Sequence, residues 1–251
     1  MDVLVFTSFT QGQTYRMKFD LHIHTHFSRT KRWGSASLIE PKQLLDHAVQ
    51  IGLDGLAVTD HDQIDGSLLV AELASHWGLI AIPGLEVSSR GGHILALGVT
   101  ESIPKGLSPA ETIDRIHEQG GIAVAAHPLN LVVSLRRHEI ISLPLDALET
   151  HNARSPRNRK VARLHRRLPL GQTGGSDAHS IAEIGGGITE VPGTFTNYQQ
   201  ILHEIKADRA HASGLRPRYT QLARVCLHTV TKQKKEQIKR RIMVRLGFDA
   251  A

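Results

Sequence analysis

The chain has 251 residues, of which 40% are hydrophobic and only 4% aromatic, and a formal net charge of +6. That length suits one domain of α/β-barrel size, with a core built from Ile, Leu, Val and Ala. The single cysteine, Cys226, excludes an internal disulfide and a thiolate-rich zinc site and fits a reducing, cytoplasmic setting, while the positive charge suits anionic partners such as phosphate esters or nucleic acid.

Residues 1–16 read as an N-terminal extension: Met1–Phe9 is mildly apolar but lacks the basic leader and cleavage site of a signal peptide. Lys18–Ile23 is the first predicted strand. Pro41 opens a helix with Leu44, Leu45, Ala48 and Val49 on one face, and Gly52 stops it. Leu56–Thr59 follows as a strand, Ser67–Trp77 as a helix, and Leu79–Val87 and His93–Val99 as two more strands. Pro109–Gln119 is helical, with Gly120-Gly121 ending it before the strand Ile122–Ala126. Asp146–Thr150, Leu170–Gly174 and Ile188–Val191 are strands. Pro156–Arg167 is a basic helix, and Asn197–Ala207 a further helix. Strands alternating with helices predict a parallel sheet, and polar residues at most strand ends favour a barrel, where those ends converge on one mouth. Residues 216–251 carry an apolar face (Leu222, Val225, Cys226, Val230) followed by Lys232, Lys234, Lys235, Lys239, Arg240 and Arg241, the pattern of a basic amphipathic helical tail. No apolar run is long enough to span a bilayer.

Sixteen histidines are present, so position has to separate ligands from the rest. His22 and His24 lie two apart at a strand end and point to one side, where two imidazoles can hold one divalent ion. Asp177 and His179 repeat the spacing. His61, Glu86, His93 and His127 each stand at a predicted strand start or end. Nitrogen and oxygen donors without sulfur suit zinc, manganese or iron.

The ordered series DLHIHTHFS, GLDGLAVTDHDQIDG, IPGLEVSS, GGHILALGV, GGIAVAAHP, ALETHNAR and GGSDAHS resembles the motif set of the polymerase-and-histidinol-phosphatase (PHP) superfamily from Met17 to Val191. The resemblance implies a distorted seven-stranded β/α barrel over residues 17–215 and a centre of two or three divalent metal ions. It implies His22, His24, Glu86 and Asp177 at a first metal, with Glu86 bridging to a second held by His93 and His127. His61 and His179 would hold a third. Glu86, Asp177 and His179 are the residues it assigns to the chemistry. Small members of the family carry a further Asp or His in the loop after Ser28. Here the loop reads Arg29-Thr30-Lys31-Arg32, which removes a ligand from the third position, and His26 reads as a solvent-exposed loop residue rather than its replacement.

The activity implied is hydrolysis of a small-molecule phosphomonoester, a nucleotide or an alcohol phosphate, by a metal-bound hydroxide. Arg154, Arg157 and His151, at or just beyond a strand end, are the expected substrate contacts, because the guanidinium fork matches phosphate oxygens. Asp60 and Asp62 read as orienting residues beside His61. His47, His76, His117, His138, His165, His203, His211 and His228 read as surface or packing residues. Two alternatives share the motif set: a 5'-3' exonuclease or oligonucleotide phosphodiesterase that uses the basic tail, and a non-catalytic metal-binding domain.

Overall fold

The computed structural model describes residues 15–28, 37–131 and 133–215. Residues 1–14 of the expected extension, the Arg29-Thr30-Lys31-Arg32 loop and the basic tail 216–251 lie outside them.

Strand β1 (Arg16–Ile23) alternates exposed and buried at its start and is wholly buried from Phe19 onward. One face of its inner half is therefore apolar (Phe19, Leu21, Ile23), while the other buries Asp20 and His22, polar groups that need partners. In chain order there follow α1 (Pro41–Gln50), β2 (Gly55–Val58), α2 (Asp65–Leu73), β3 (Ile80–Ile82), β4 (Gly84–Ser88), β5 (His93–Leu97), α3 (Pro109–Glu118) and β6 (Ile122–Ala125). The last are α4 (Arg137–Ser142), β7 (Ala147–Asn152), α5 (Asn158–His165), β8 (Gly171–Gly175), β9 (Gly187–Pro192), α6 (Tyr198–Lys206) and β10 (His211–Gly214). Local chemistry sets the helix bounds. α3 starts with Pro109 and a reciprocal Ser108–Glu111 capping box, and Gly120, at φ 74°, follows its end.

The strands form two five-stranded sheets, in the orders β10-β9-β1-β2-β3 and β4-β5-β6-β7-β8. The expected seven-stranded barrel is not confirmed: among the described residues no continuous ladder closes on itself. The two sheets meet at isolated bridges, Ile23 with Ala178 and His61 with Glu86. Pro83 is one reason: the predicted strand Leu79–Val87 is split there, since proline offers no N–H to a ladder. Its first half pairs with β2 and its second with β5. The sheets are also mixed rather than parallel. β4 and β5 are antiparallel because the Ser89–Gly92 connection is a tight turn, too short for a crossover.

Three apolar clusters fill the spaces between layers. α1 and α2 pack Leu44, Leu45 and Val70 on the first sheet, and α3 and α5 pack Ile113, Ile116, Val161 and Leu164 on the second. The third joins Phe19, Leu21 and Val191 of one sheet to Leu95, Leu97 and Val124 of the other, and α6 adds Ile201, Leu202 and Ile205. Each fully buried Leu or Ile stabilises the fold by about 1.5–3 kcal/mol. A polar cluster also lies where the sheets meet, and β1 feeds both. Among the described residues no helix is long and apolar enough to cross a membrane.

Candidate metal centre

The centre is assembled from the ends of strands in both sheets. β1 delivers His22 and, just past its end, His24; their rings stand 5.1 Å apart. β4 supplies Glu86 from within the strand, and β5 supplies His93 as its first residue. His61, His127, Asp177 and His179 follow β2, β6 and β8. Two of these positions are strained: His127 has φ 30° and Asp177 φ 55°, left-handed values that L-residues seldom adopt. Gly175 makes the approach of β8 to β1 possible, since a Cβ there would collide with the His22 Cβ.

The carboxylate of Glu86 is fully buried and ringed by five imidazoles. Its Oε1 lies 2.7 Å from His93 Nδ1 and 2.9 Å from His127 Nε2. Its Oε2 lies 3.0 Å from His61 Nδ1 and 3.4 Å from both His22 Nε2 and His24 Nε2. Asp177 Oδ1 faces the same space, 3.3 Å from His24 Nε2 and 3.7 Å from His22 Nε2. His179 lies against His24 at a tilt of 42°, with ring centres 4.5 Å apart. The structure thus brings together all eight residues whose positions the sequence singled out. Donor atoms converge in four overlapping groups: His22–His24–Asp177, His22–Glu86–His127, His61–Glu86–His93 and His24–His61–His179. In this arrangement His61 serves the Glu86–His93 group as well as the expected pairing with His179.

Divalent cations fit these donors. Among the described residues, eight buried side-chain polar atoms have no hydrogen-bond partner. Six belong to this cluster: His22 Nε2, His24 Nε2, His61 Nδ1, Glu86 Oε2, His127 Nδ1 and His179 Nε2. Concentrating unsatisfied atoms in one polar pocket is costly unless they bind something. Protonation states agree. Burial resists charge on Glu86, but His61, His93 and His22 hold its carboxyl well below the usual carboxylate range. Burial likewise opposes charge on Asp177, yet His22, His24 and Arg154 keep it well below its ordinary value. Burial pushes His24, His61 and His179 down, leaving neutral rings with a free lone pair. Burial also opposes charge on His22 and His127, but the carboxylates around them raise both, so a cation bound there would take the place of a proton on those two rings.

Further residues hold these groups in place, and the sequence reading missed the chief one. Glu149 is buried on β7, 2.9 Å from His22 Nδ1; it also accepts the His127 N–H at 2.6 Å and the Asn152 amide at 3.0 Å. A carboxylate only accepts, so Nδ1 of His22 carries a proton toward Glu149, and it is Nε2 that would give its lone pair to a cation shared with Glu86 and Asp177. Glu149 lies two residues before His151, a spacing that puts both on one side of a regular strand. A register shift between them breaks that parity, and His151 turns instead to the Leu215 carbonyl, 3.2 Å away. Asp20 is buried and accepts the backbone N–H groups of Ser176, Gly185 and His22; desolvation still raises it to about 6. Asp60 and Asp62 brace backbone rather than the His61 ring: Asp60 accepts from the Thr25 N–H and hydroxyl, Asp62 from the Ser88 N–H.

Of the expected substrate contacts, Arg154 reaches the cluster. Its Nη1 donates to the Asp177 carbonyl at 3.2 Å and touches His179 Nδ1. Arg157 stands at the N-terminal boundary of α5, its N–H bonded to Ser155 Oγ. His26 is exposed and 3.4 Å from Glu40. Two histidines read as packing residues have partners of their own: His117 pairs with Asp146 at 2.7 Å, and His165 lies 2.8 Å from the Leu170 carbonyl.

A family model described as PHP-associated matches residues 155–210. An uncharacterised protein of Methanocaldococcus jannaschii is 39% identical over 141 residues, which is 55% of this chain and 82% of that one. A phosphoribosyl 1,2-cyclic phosphate 1,2-diphosphodiesterase of Eggerthella lenta is 37% identical over 91 residues, covering 34% of this chain and 32% of that enzyme. The crystal structure of a two-domain protein of Bacteroides vulgatus, containing a predicted PHP-like metal-dependent phosphoesterase, superposes with a TM-score of 0.67. That match has 19% identity and covers 86% of this chain and 70% of the other. The chain belongs to the PHP superfamily.

Proposed function

We propose that the chain hydrolyses the phosphomonoester of a small molecule at a centre of two or three divalent ions, zinc, manganese or iron, with residues 17–215 as the catalytic unit in a reducing, cytoplasmic setting. The observation that carries this reading is the Glu86 carboxylate, both oxygens of which face imidazoles from different strands. One carboxylate shared in this way suits two neighbouring cations. Divalent ions bound there supply Lewis-acid polarisation of the phosphoryl oxygens and acidify a bound water.

The chain's own residues divide the remaining work. His22, His24 and Asp177 would hold one ion, Glu86 with His93 and His127 a second, and His61 with His179 a third. Glu149 fixes the His22 tautomer. Arg154 stands beside Asp177 and His179, where its free N–H groups can bind a phosphoryl oxygen of the substrate. Arg157 and His151 are assigned to contacts with the alcohol part of the ester.

The test is direct. The chain is purified with manganese, its metal content counted, and a panel of phosphomonoesters offered alongside oligonucleotides. Phosphate release from monoesters supports the reading. Metal-loaded protein that releases mononucleotides from oligonucleotides but no phosphate from the monoesters would replace it with the nuclease alternative. Fewer than two ions per chain and no turnover would leave a non-catalytic domain.

A further inference from the structure

Away from the metal centre, a cleft of about 330 Å³ is lined by Leu129 and Arg137 on one side and by Lys160, Arg163, Leu164 and Arg167, of α5 and the turn after it, on the other. Lys160, Arg163 and Leu164 have the spacing i, i+3, i+4 and share one stripe of α5, and Arg167 joins them from the turn that follows the helix. Arg137 enters from the opposite wall. Four cations thus face one another over two leucines. The arginine and lysine ion pairs among the described residues are Arg90–Glu111, Arg115–Glu118, Lys206–Asp146 and Arg209–Glu204, and none involves the cleft. Like charges brought together without a carboxylate repel, and an anion that binds there removes the repulsion.

The position of the cleft gives it a second meaning. Leu129 follows His127 by two residues and holds a left-handed φ of 64°. The next residue, Asn130, accepts a hydrogen bond from Ser155 Oγ at 2.9 Å. Ser155 directly follows Arg154, the arginine that reaches Asp177 and His179. The loop that carries His127 therefore also supplies Leu129 to the cleft, and it is tied through Asn130 to the loop that carries Arg154.

We propose that this cleft is a second anion site, built for two adjoining phosphoryl groups rather than one. Four cations offset more charge than a single phosphate carries. The volume equals that of about ten waters, enough for two phosphoryl groups with part of their hydration. Arg137, Arg163 and Arg167 present planar forks, and Lys160 a point charge, so phosphate oxygens can be shared among them. The occupant is either free pyrophosphate or a second phosphate on the substrate itself.

The experiment titrates sodium pyrophosphate into the full-length, metal-loaded chain by calorimetry and repeats this with Lys160→Ala/Arg163→Ala. These side chains are exposed, so the fold should survive, and an unchanged melting temperature checks it. Wild type should show two sites, and the variant should lose one by at least about tenfold in affinity, with a shallower salt dependence. A variant that keeps every pyrophosphate site of the wild type, with superimposable isotherms, would overturn the proposal, whatever the metal centre itself binds. Arg163→Lys, which keeps the charge, should retain most of the binding. A second arm compares a bisphosphate with the monophosphate of the same alcohol. A KM raised only for the bisphosphate assigns the cleft to the substrate's own second phosphate. Unchanged kinetics with pyrophosphate binding lost assigns it to the free anion. Binding is read without turnover, so its failure is distinct from failure of the phosphoesterase reading.

Discussion

Glu149→Gln removes one charge and almost no volume, which makes it a sharp probe of the layer behind the metal ligands. The Glu149 carboxylate faces three donors: His22 Nδ1, the His127 N–H and the Asn152 amide. A glutamine offers one acceptor oxygen and an NH2 that must itself face a donor. At least one buried donor therefore loses its partner, at a cost of about 1–3 kcal/mol. In a domain of this size each kcal/mol moves Tm by about 2–4 °C, so Tm should fall by roughly 2–12 °C. The larger consequence is at the ions. With Nδ1 no longer held as the donor, His22 loses the constraint that keeps Nε2 facing Glu86 and Asp177. Loss of such an outer hydrogen bond weakens metal affinity by about 10–100-fold. Competition against a chromophoric chelator measures that affinity, and a thermal melt of the same samples measures the stability. Affinity within twofold of wild type, with Tm lowered, would reduce Glu149 to a packing role and refute the reasoning.

Gly175→Ala should destabilise the protein by about 1–3 kcal/mol and lower metal content, because the new Cβ collides with His22 and forces β8 from β1; urea unfolding and metal analysis report both. Arg154→Ala should raise KM for a phosphomonoester by about 10–100-fold while leaving metal content intact, as expected for loss of a charge-assisted hydrogen bond worth about 1.5–3 kcal/mol. Asp146 gives the pH prediction. Burial pushes its carboxyl up, but Lys206, the Ala123 N–H and His117 outweigh this and hold it below its ordinary value. A depressed folded pKa contributes stability that is present above the unfolded value and lost as pH falls through the folded one. The midpoint of urea unfolding should therefore drop on the acid side, and Asp146→Asn should flatten that limb; an unchanged acid limb would refute it.

Much of the element order was legible because it rests on local rules. Pro41 and Pro109 begin helices at the first turn, Gly52 and Gly120 follow their ends, and apolar runs such as Ile122–Ala125 mark buried strands. The two elements overlooked are α4 and β10, a short helix and an edge strand. Their sequences, RHEIIS and HASG, carry little periodicity. Sheet membership was not legible either. Whether Leu79–Val87 is one strand or two depends on which neighbours accept its hydrogen bonds, and Pro83 decides that only in the presence of β2 and β5.

The residue types of the centre and their places at strand ends were set by the sequence alone, because a period of two puts His22 beside His24 wherever the strand runs. How the groups share Glu86 was decided by tertiary structure. His61 comes within 3.0 Å of that carboxylate through a bridge between two sheets, a contact without local signature. The same holds for Glu149 and His151, whose roles separate at a register shift in β7 that pairing with β8 imposes. Spacing along a chain fixes which side chains can share a face. Which faces meet, and at what register, depends on packing between segments more than a hundred residues apart, as His22 and Glu149 are.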